Sequence, residues 1–140
     1  MRKTTEELLN ILNQSKDIKE YLNHQQENFT EGTLSEHLAG LMAEKSVSPG
    51  ECIRRSGLDR TYCYQIFSGA KKPSRDKLLA LCIALELTAE EVQRLLKSAG
   101  YPILYPRVRR DSIILFAIER GYTVMEVNEF LHDMDFALLE

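Results

Sequence analysis

The chain has 140 residues, of which 44% are hydrophobic, and its formal net charge is −3 at pH 7. This length fits one domain with appendages, and the negative charge argues against a general nucleic-acid coat protein. The longest apolar run, 78–85, is shorter than the roughly 20 residues that cross a bilayer, so we expect no membrane partner. Proline and glycine are few and leucine recurs at helical spacing, which predicts an all-α fold.

Positive charge is concentrated in the middle of the chain. Residues 1–33 hold 4 basic and 6 acidic side chains, and residues 74–140 hold 8 basic and 11 acidic ones. Residues 34–73 hold 6 basic and 4 acidic side chains, so this segment alone is positive. A local basic excess of this kind is what a DNA contact needs. Because the excess is small, we expect modest and salt-sensitive binding by each monomer.

Residues 1–33 are predicted to form an N-terminal helical extension. Thr4 and Glu7 have the spacing of a capping box, and three leucines follow on one helical face. A second helix is predicted near 15–24. The polar residues 25–33 are expected to connect it to the next helix.

Three helices are then predicted in quick succession. The first runs from Leu34 to about Lys45, because its apolar residues recur at i, i+4, i+7 and i+8. Ser48 has the position of an N-cap for the second, with proline in the first turn and glutamate three residues on. Gly57 ends this helix, since glycine readily takes a left-handed cap conformation. Asp59 caps the third, and a basic loop follows it, which together predict a helix-turn-helix.

Two further helices and an extended strap are predicted over residues 74–106. Ser74 and Thr88 occupy N-cap positions before leucine-rich segments. Residues 101–106 carry two prolines four positions apart, which favours an extended strap packed over the core.

A helical hairpin is predicted to complete the chain. It begins near Asp111, and its second helix follows a cap at Thr123 and turns apolar residues inward, the last of them Met134. The segment 113–131 aligns without gaps with 78–96, and both contain the pattern T-x-x-E-V. The echo has two interpretations: independent use of the same cap, or a duplicated hairpin that provides a second packing or dimer surface.

The segment 57–73 carries the most specific pattern in the chain. It combines Gly-Leu-Asp at 57–59 and Ile-Phe at 66–67 with a later glycine and proline, among apolar positions spaced for a helical core. With these residues, the region 34–97 resembles the phage-repressor (Xre-type) helix-turn-helix family. The resemblance implies an all-α, lambda-repressor-like helix-turn-helix core of five helices. This chain would add extra N-terminal and C-terminal helices to that core.

In a helix-turn-helix, the second helix enters the major groove and its outward residues reach base edges. Cys63 and Ile66 are spaced to face the core, so four residues are expected to point outward: Arg60, Thr61, Tyr64 and Gln65. Arginine can bond guanine through two hydrogen bonds, glutamine can bond adenine in the same way, and a threonine methyl can contact thymine. The resemblance implies base contacts at these four residues. Solvated side chains without a DNA role are the alternative.

Phosphate contacts are expected beside the recognition helix. The resemblance implies them near Ser48 and Ser68. Lys71 and Lys72 lie in the loop that follows the helix, where side chains commonly meet phosphates. Both lysines could instead be solvated loop charges.

Two features favour a different use of the same scaffold. Many members of the family place a phosphate-binding glutamine at the start of the preceding helix, where this chain has Pro49 and Gly50. The recognition helix is also unusually aromatic, with Tyr62, Tyr64 and Phe67. Because aromatic residues are enriched at protein interfaces, the alternative function is a protein–protein interaction module without DNA binding.

The densest basic cluster outside this segment consists of Arg107, Arg109 and Arg110. Ion pairs with nearby acids such as Asp111 or Glu119 are the favoured expectation. A second contact with the DNA backbone is the alternative.

The sequence holds no pattern typical of a catalytic or metal site. Its three histidines lack HExxH spacing, and G-x-S-x-G, P-loop and G-x-G-x-x-G patterns are missing. Cys52, Cys63 and Cys82 form no CxxC and lie among apolar helix residues, which indicates buried thiols in a reducing cytoplasm. We therefore expect no enzymatic activity, no metal and no cofactor.

These observations predict a cytoplasmic, sequence-specific DNA-binding transcriptional regulator with residues 59–68 as recognition helix. Its expected organisation is an extension (1–33), a DNA-binding domain (34–100), and a strap with a helical hairpin (101–140). It is expected to bind double-stranded DNA as a homodimer, because one short helix covers few base pairs and symmetry doubles the site. The extra helices are expected to supply a dimer or effector-sensing surface.

Overall fold

Seven α-helices and no strand make up residues 32–140, the part of the chain that the computed structural model describes. The all-α prediction is confirmed for this part, and none of its helices is long and apolar enough to cross a membrane. The cap at Thr4 and Glu7, the helix near 15–24 and most of the polar connector lie outside the described residues. The helices are α1 (Leu34–Glu44), α2 (Pro49–Ser56), α3 (Arg60–Phe67), α4 (Arg75–Ala84), α5 (Ala89–Ser98), α6 (Arg109–Glu119) and α7 (Val124–Asp133).

The N-caps predicted within the described residues are confirmed. Side chains of Ser48, Asp59 and Ser74 each accept a hydrogen bond from the backbone N–H three residues on, at the starts of α2, α3 and α4. Thr88 and Thr123 form complete capping boxes with the glutamates three residues on. Each cap satisfies backbone donors that the first helical turn leaves without an intrahelical partner.

Five helices end in the same way. After α4, Glu86 takes a left-handed conformation, and the amide of Leu87 donates back to the carbonyl of Cys82 at 3.2 Å. This is the Schellman arrangement, in which the residue after the left-handed one folds back onto its helix. The residue that folds back is apolar or aromatic in all five cases: Val47 after α1, Leu87 after α4, Tyr101 after α5, Tyr122 after α6 and Phe136 after α7.

One continuous core holds the seven helices together. Helix α4 lies at its centre, and every residue from Leu78 to Leu85 is buried. Helix α2 packs on α4 and α1 on α3, while α4 also contacts α5 and α7, and α5 contacts α6. Cys52, Cys63 and Cys82 are buried and free, as predicted.

The strap packs over the core, as predicted. Leu104 is only 1% exposed, and its backbone is held on both sides by the amide of Gln93. Gln93 Nε2 donates to the Leu104 carbonyl at 2.7 Å, and the Leu104 N–H donates to Gln93 Oε1 at 2.8 Å. The Tyr101 hydroxyl donates to the carbonyl of Pro73. These hydrogen bonds hold the strap against α5 and against the segment just before α4.

Two expectations for the C-terminal region need correction. Arg110 pairs with Asp76 at 2.8 Å, and Asp111 pairs with Arg75 at 3.0 Å, so the partners are distant in sequence. Arg107 and Arg109 are exposed. Met134 is 53% exposed instead of facing inward, because it lies past the end of α7 as its C-cap.

Candidate nucleic-acid interface

Helix α3 presents one polar face to solvent. Its buried side is formed by Cys63 and Ile66, which are 0% and 1% exposed. Because a helix turns by about 100° per residue, the residues between them lie on the other side. Arg60, Thr61 and Tyr64 are exposed and Gln65 is half-buried. The helices that follow the strap leave all four side chains at least partly accessible.

Aromatic contacts order the outward face of α3. The guanidinium of Arg60 lies 5.5 Å from the ring centroid of Tyr64, and the Tyr64 ring meets Phe67 edge-on at 6.2 Å. Arg60 has no ion-pair partner among residues 32–140. Stacking on Tyr64 limits the rotamers of Arg60 while leaving its N–H donors available.

Lysines surround Tyr62 on the adjoining side. The Nζ of Lys77 lies 4.2 Å from the Tyr62 ring centroid, and that of Lys71 lies 5.7 Å from it. Lys72 is placed in the same manner over Tyr101, at 4.7 Å. Lys77 was missed in the sequence because it belongs to the first turn of α4. The signal that points to it is the basic density of the segment 71–77.

The loop after α3 is folded tightly against the end of that helix. The hydroxyl of Ser68 donates to the Gln65 carbonyl at 3.1 Å, and the N–H of Lys71 donates to the same carbonyl at 3.1 Å. Gly69 has φ +85°, a left-handed value that side chains disfavour. These bonds fix the backbone positions of Lys71 and Lys72 relative to α3.

Ser48 lies on a different element, at the exposed N-terminus of α2. Its oxygen accepts from the amide of Glu51 at 3.2 Å, which leaves the hydroxyl hydrogen available to a further acceptor. Pro49 and Gly50 follow it and are exposed. Neither has a polar side chain, so the polar groups here are the Ser48 hydroxyl and backbone amides.

The two arginines of α2, in its last turn, share a single carboxylate. Glu51 bonds both Arg54 and Arg55, and the hydrogen bond from Arg54, with that from Arg55, lowers the pKa of Glu51 to about 2. Arg75, in α4, is similarly engaged with Asp111. Four cations therefore remain on and beside α3, against the single carboxylate of its N-cap: Arg60, Lys71, Lys72 and Lys77.

Comparisons with protein-family models, with curated proteins and with solved structures found no match to this chain.

Proposed function

We propose that this protein is a sequence-specific DNA-binding transcriptional regulator, with α3 as its recognition helix. In this proposal α1 to α5 form a lambda-repressor-like, Xre-type core, and the flanking segments are additions to it. The observation that carries the proposal is the outward face of α3. It offers Arg60, Thr61, Tyr64 and Gln65 to solvent beside three lysines, with one nearby carboxylate.

The side chains of this face suit the major groove. Arg60 carries a fork of N–H donors near the N-terminus of α3, which is the end that approaches base edges in a helix-turn-helix. Thr61 offers a methyl and a hydroxyl, and Gln65 offers an amide that matches adenine. Tyr64, 42% exposed, is large enough to contact the sugars of the backbone.

Phosphate contacts are assigned to the groups around this face. Lys71, Lys72 and Ser68 follow α3, and Lys77 adds a cation beyond the family pattern. Ser48 supplies a hydroxyl at the N-terminus of α2, where backbone amides and the helix dipole also favour an anion. We assign a homodimer to the bound state, because two recognition helices are needed to read a site of useful length. Free, buried thiols support a reducing, cytoplasmic setting.

Selection of a binding site from random duplex DNA tests the proposal. The purified full chain should enrich a short, two-fold symmetric motif at about 50 mM salt, where phosphate contacts are strongest. Failure to enrich any motif contradicts DNA recognition.

The variant Arg60→Ala tests the assigned chemistry on the enriched site. Losing a bidentate guanine contact should cost about 1–3 kcal/mol and relax the preference at one base pair. Arg94→Ala is the matched control, because Arg94 is a 65% exposed arginine on α5 whose one ion pair within residues 32–140 is a long one, with Glu90. Fluorescence anisotropy should give equal Kd values for this control and the wild type.

A protein–protein interaction module on the same scaffold is the second candidate. The observation that favours it is the exposed aromatic content of α3, with Tyr64 packed edge-on against Phe67. Under this candidate the variants Arg60→Ala and Arg94→Ala both have the same DNA affinity as the wild type, with the same dependence on salt.

A further inference from the structure

The four cations on and beside α3 share one kind of neighbour. Each lies within about 6 Å of the centre of a tyrosine ring, the range over which a ring face attracts a positive charge. Residues 32–140 contain five contacts between a cation and an aromatic ring, and four of them belong to this set. The pairs are Arg60 with Tyr64, Lys71 and Lys77 with Tyr62, and Lys72 with Tyr101.

No carboxylate within residues 32–140 forms an ion pair with any of these four cations. Two aspartates adjoin them in sequence, and both are engaged elsewhere. Asp59 caps α3 by accepting from the Tyr62 N–H at 2.9 Å, and Asp76 pairs with Arg110 at 2.8 Å. Rings therefore take the place that carboxylates have beside the arginines of α2 and α4.

The fold holds the three tyrosine rings in place. Tyr62 packs against the core, and the hydroxyl of Tyr101 donates to the carbonyl of Pro73. Tyr64 is 42% exposed, but its ring meets Phe67 edge-on, and Phe67 packs against the core in turn. A ring that is itself fixed restricts the rotamers of the cation lying on it.

Such restriction matters when a cation binds. Ordering one long, flexible side chain on binding weakens affinity about 2–10-fold, and a ring that orders the side chain in the free protein removes part of that loss. A carboxylate would order the cation too, but it would also cancel the positive charge that attracts phosphate. A tyrosine ring orders the cation and leaves its charge and its N–H donors available.

We infer that Tyr62, Tyr64 and Tyr101 are positioning residues for DNA binding, which act through the cations on their rings. Tyr64 holds Arg60 toward base edges, and the other two rings hold the lysines toward phosphates. These roles rest on the proposed function, because they operate when α3 meets DNA. They give the aromatic residues of α3 a part in DNA recognition, whereas the second candidate assigns those residues to a protein partner.

The variant Tyr64→Leu tests the role of the most exposed ring. On the enriched DNA site it should raise the Kd about 2–10-fold for each bound protomer and relax the preference at the base pair that Arg60→Ala relaxes. Tyr64→Phe keeps the ring and should restore both properties. Tyr105→Leu is the matched control, because Tyr105 is a 54% exposed tyrosine of the strap with no cation over its ring within residues 32–140.

The double variant Tyr64→Leu with Arg60→Ala separates positioning from direct contact. If the ring acts through the arginine, the losses of the two single variants do not add. Additive losses would mean that Tyr64 contacts DNA independently, which contradicts the inference. Because the Tyr64 side chain is 42% exposed, its variants should keep the helical circular dichroism of the wild type.

Salt dependence provides the corresponding test for the lysines. Tyr62→Leu retains every cation, so it should raise the Kd while the slope of log Kd against log salt stays at its wild-type value. Lys77→Gln removes a cation and should lower that slope by about 1 for each bound protomer. Tyr62→Phe keeps the ring and should restore the Kd, which guards against a loss of packing.

Nuclear magnetic resonance of the full chain without DNA measures the ring contact directly. Protons above the face of an aromatic ring are shielded, so the δ-CH2 protons of Arg60 should resonate upfield of their ordinary position. Tyr64→Leu should remove that shift, and Tyr64→Phe should keep it.

These measurements distinguish failure of the inference from failure of the proposed function. If no DNA motif is enriched, both fail together. If a motif is enriched but the Arg60 protons are unshifted in the wild type, the inference alone fails. The same holds if Tyr64→Leu keeps the wild-type Kd and base preference.

Discussion

At the scale of single residues, alanine substitution should have opposite effects at two glycines, one within α1 and one after α3. Gly69 has φ +85°, and a Cβ added there would lie 3.3 Å from Ser35 Oγ on α1. Gly40 lies within α1, and a Cβ added there would meet nothing within 4 Å. We expect Gly69→Ala to destabilise the fold by about 1–2 kcal/mol or more through backbone strain. Gly40→Ala should stabilise it by about 0.4–1 kcal/mol, because alanine reduces the freedom of the unfolded chain.

Urea unfolding of these variants gives the measurement, and Gly57→Ala separates strain from crowding. Gly57 also has positive φ, +71°, but a Cβ there meets nothing within 4 Å. Gly57→Ala should therefore lower the free energy of unfolding less than Gly69→Ala does. Equal costs at the two sites would show that Ser35 moves aside freely.

The three thiols provide a second residue-scale prediction. Burial raises the pKa of Cys52 and of Cys82 to about 12, from an ordinary value of 9.0. Burial also raises the pKa of Cys63. Since the thiolate is the reactive form, all three should resist a thiol reagent at pH 8 in the native protein and react fully in denaturant. Rapid native labelling of Cys52 or Cys82 would contradict their burial.

The same groups make stability depend on alkaline pH. Their folded pKa values lie above the unfolded one, so the unfolded chain loses protons first as pH rises. The stabilising contribution is complete below about pH 9 and is lost as pH rises toward 12. Replacing Cys82 with alanine should reduce this alkaline loss, even though the cavity lowers stability at neutral pH.

At the scale of helices and their connections, the two ion pairs between the hairpins α4–α5 and α6–α7 should be unequal. The Asp111 side chain is 7% exposed and accepts from Arg75 and from the amide of Tyr105. The Asp76 side chain is 30% exposed, and its hydrogen bonds come from Arg110. Asp111→Ala should cost about 3–5 kcal/mol, because it removes a carboxylate that is itself buried and leaves both Arg75 and the Tyr105 N–H without their acceptor. Asp76→Ala should cost about 1 kcal/mol or less, as for more exposed pairs.

The pH dependence of Asp111 distinguishes a charge effect from lost packing. Burial raises its pKa, but hydrogen bonds from Arg75 and the Tyr105 amide outweigh this and lower the pKa below the ordinary 3.8. Its stabilising contribution is therefore present above about pH 4 and is lost as pH falls through the folded pKa. The stability gap between wild type and Asp111→Asn should narrow as pH falls below 3.8, as measured by urea unfolding. A gap that stays constant would assign the effect to packing.

Local signals in the sequence predicted the helices well, because caps and turn residues act within a few positions. Thr88 and Thr123 bond to groups three residues away, so their spacing alone identifies the helix starts. The Arg75–Asp111 pair spans 36 positions and depends on how the two hairpins pack. No local pattern distinguishes Asp111 from Glu119 as a partner for the neighbouring arginines. Lys77 was missed for the same reason, since its contact with Tyr62 crosses from α4 to α3.

At the scale of the whole molecule, the hairpins α4–α5 and α6–α7 resemble one another in their caps and in their bonds to the segments that follow them. Helix α2, which lies between α1 and the candidate DNA helix α3, packs on α4 of the first hairpin, and the second hairpin contacts α4 and α5. The T-x-x-E-V echo indicated a duplicated hairpin as one of two interpretations. Recurring strap bonds at Gln93 and Asn128 favour that interpretation.

The salt dependence of DNA binding tests the molecule as an assembled dimer. The slope of log Kd against log salt reports the number of phosphates neutralised, at about 0.9 for each on duplex DNA. Gln substitution of Lys71, Lys72 or Lys77 should each reduce that slope by about 1 for every bound protomer. Lys97→Gln is the control, because Lys97 is an exposed lysine in the last turn of α5. Changing both Arg107 and Arg109 to Gln tests them as a second backbone contact, and it lowers the slope only if they reach the DNA. If the three lysine variants keep the wild-type slope, the basic loop does not lie on phosphates, and the exposed aromatic residues of α3 then favour a protein partner.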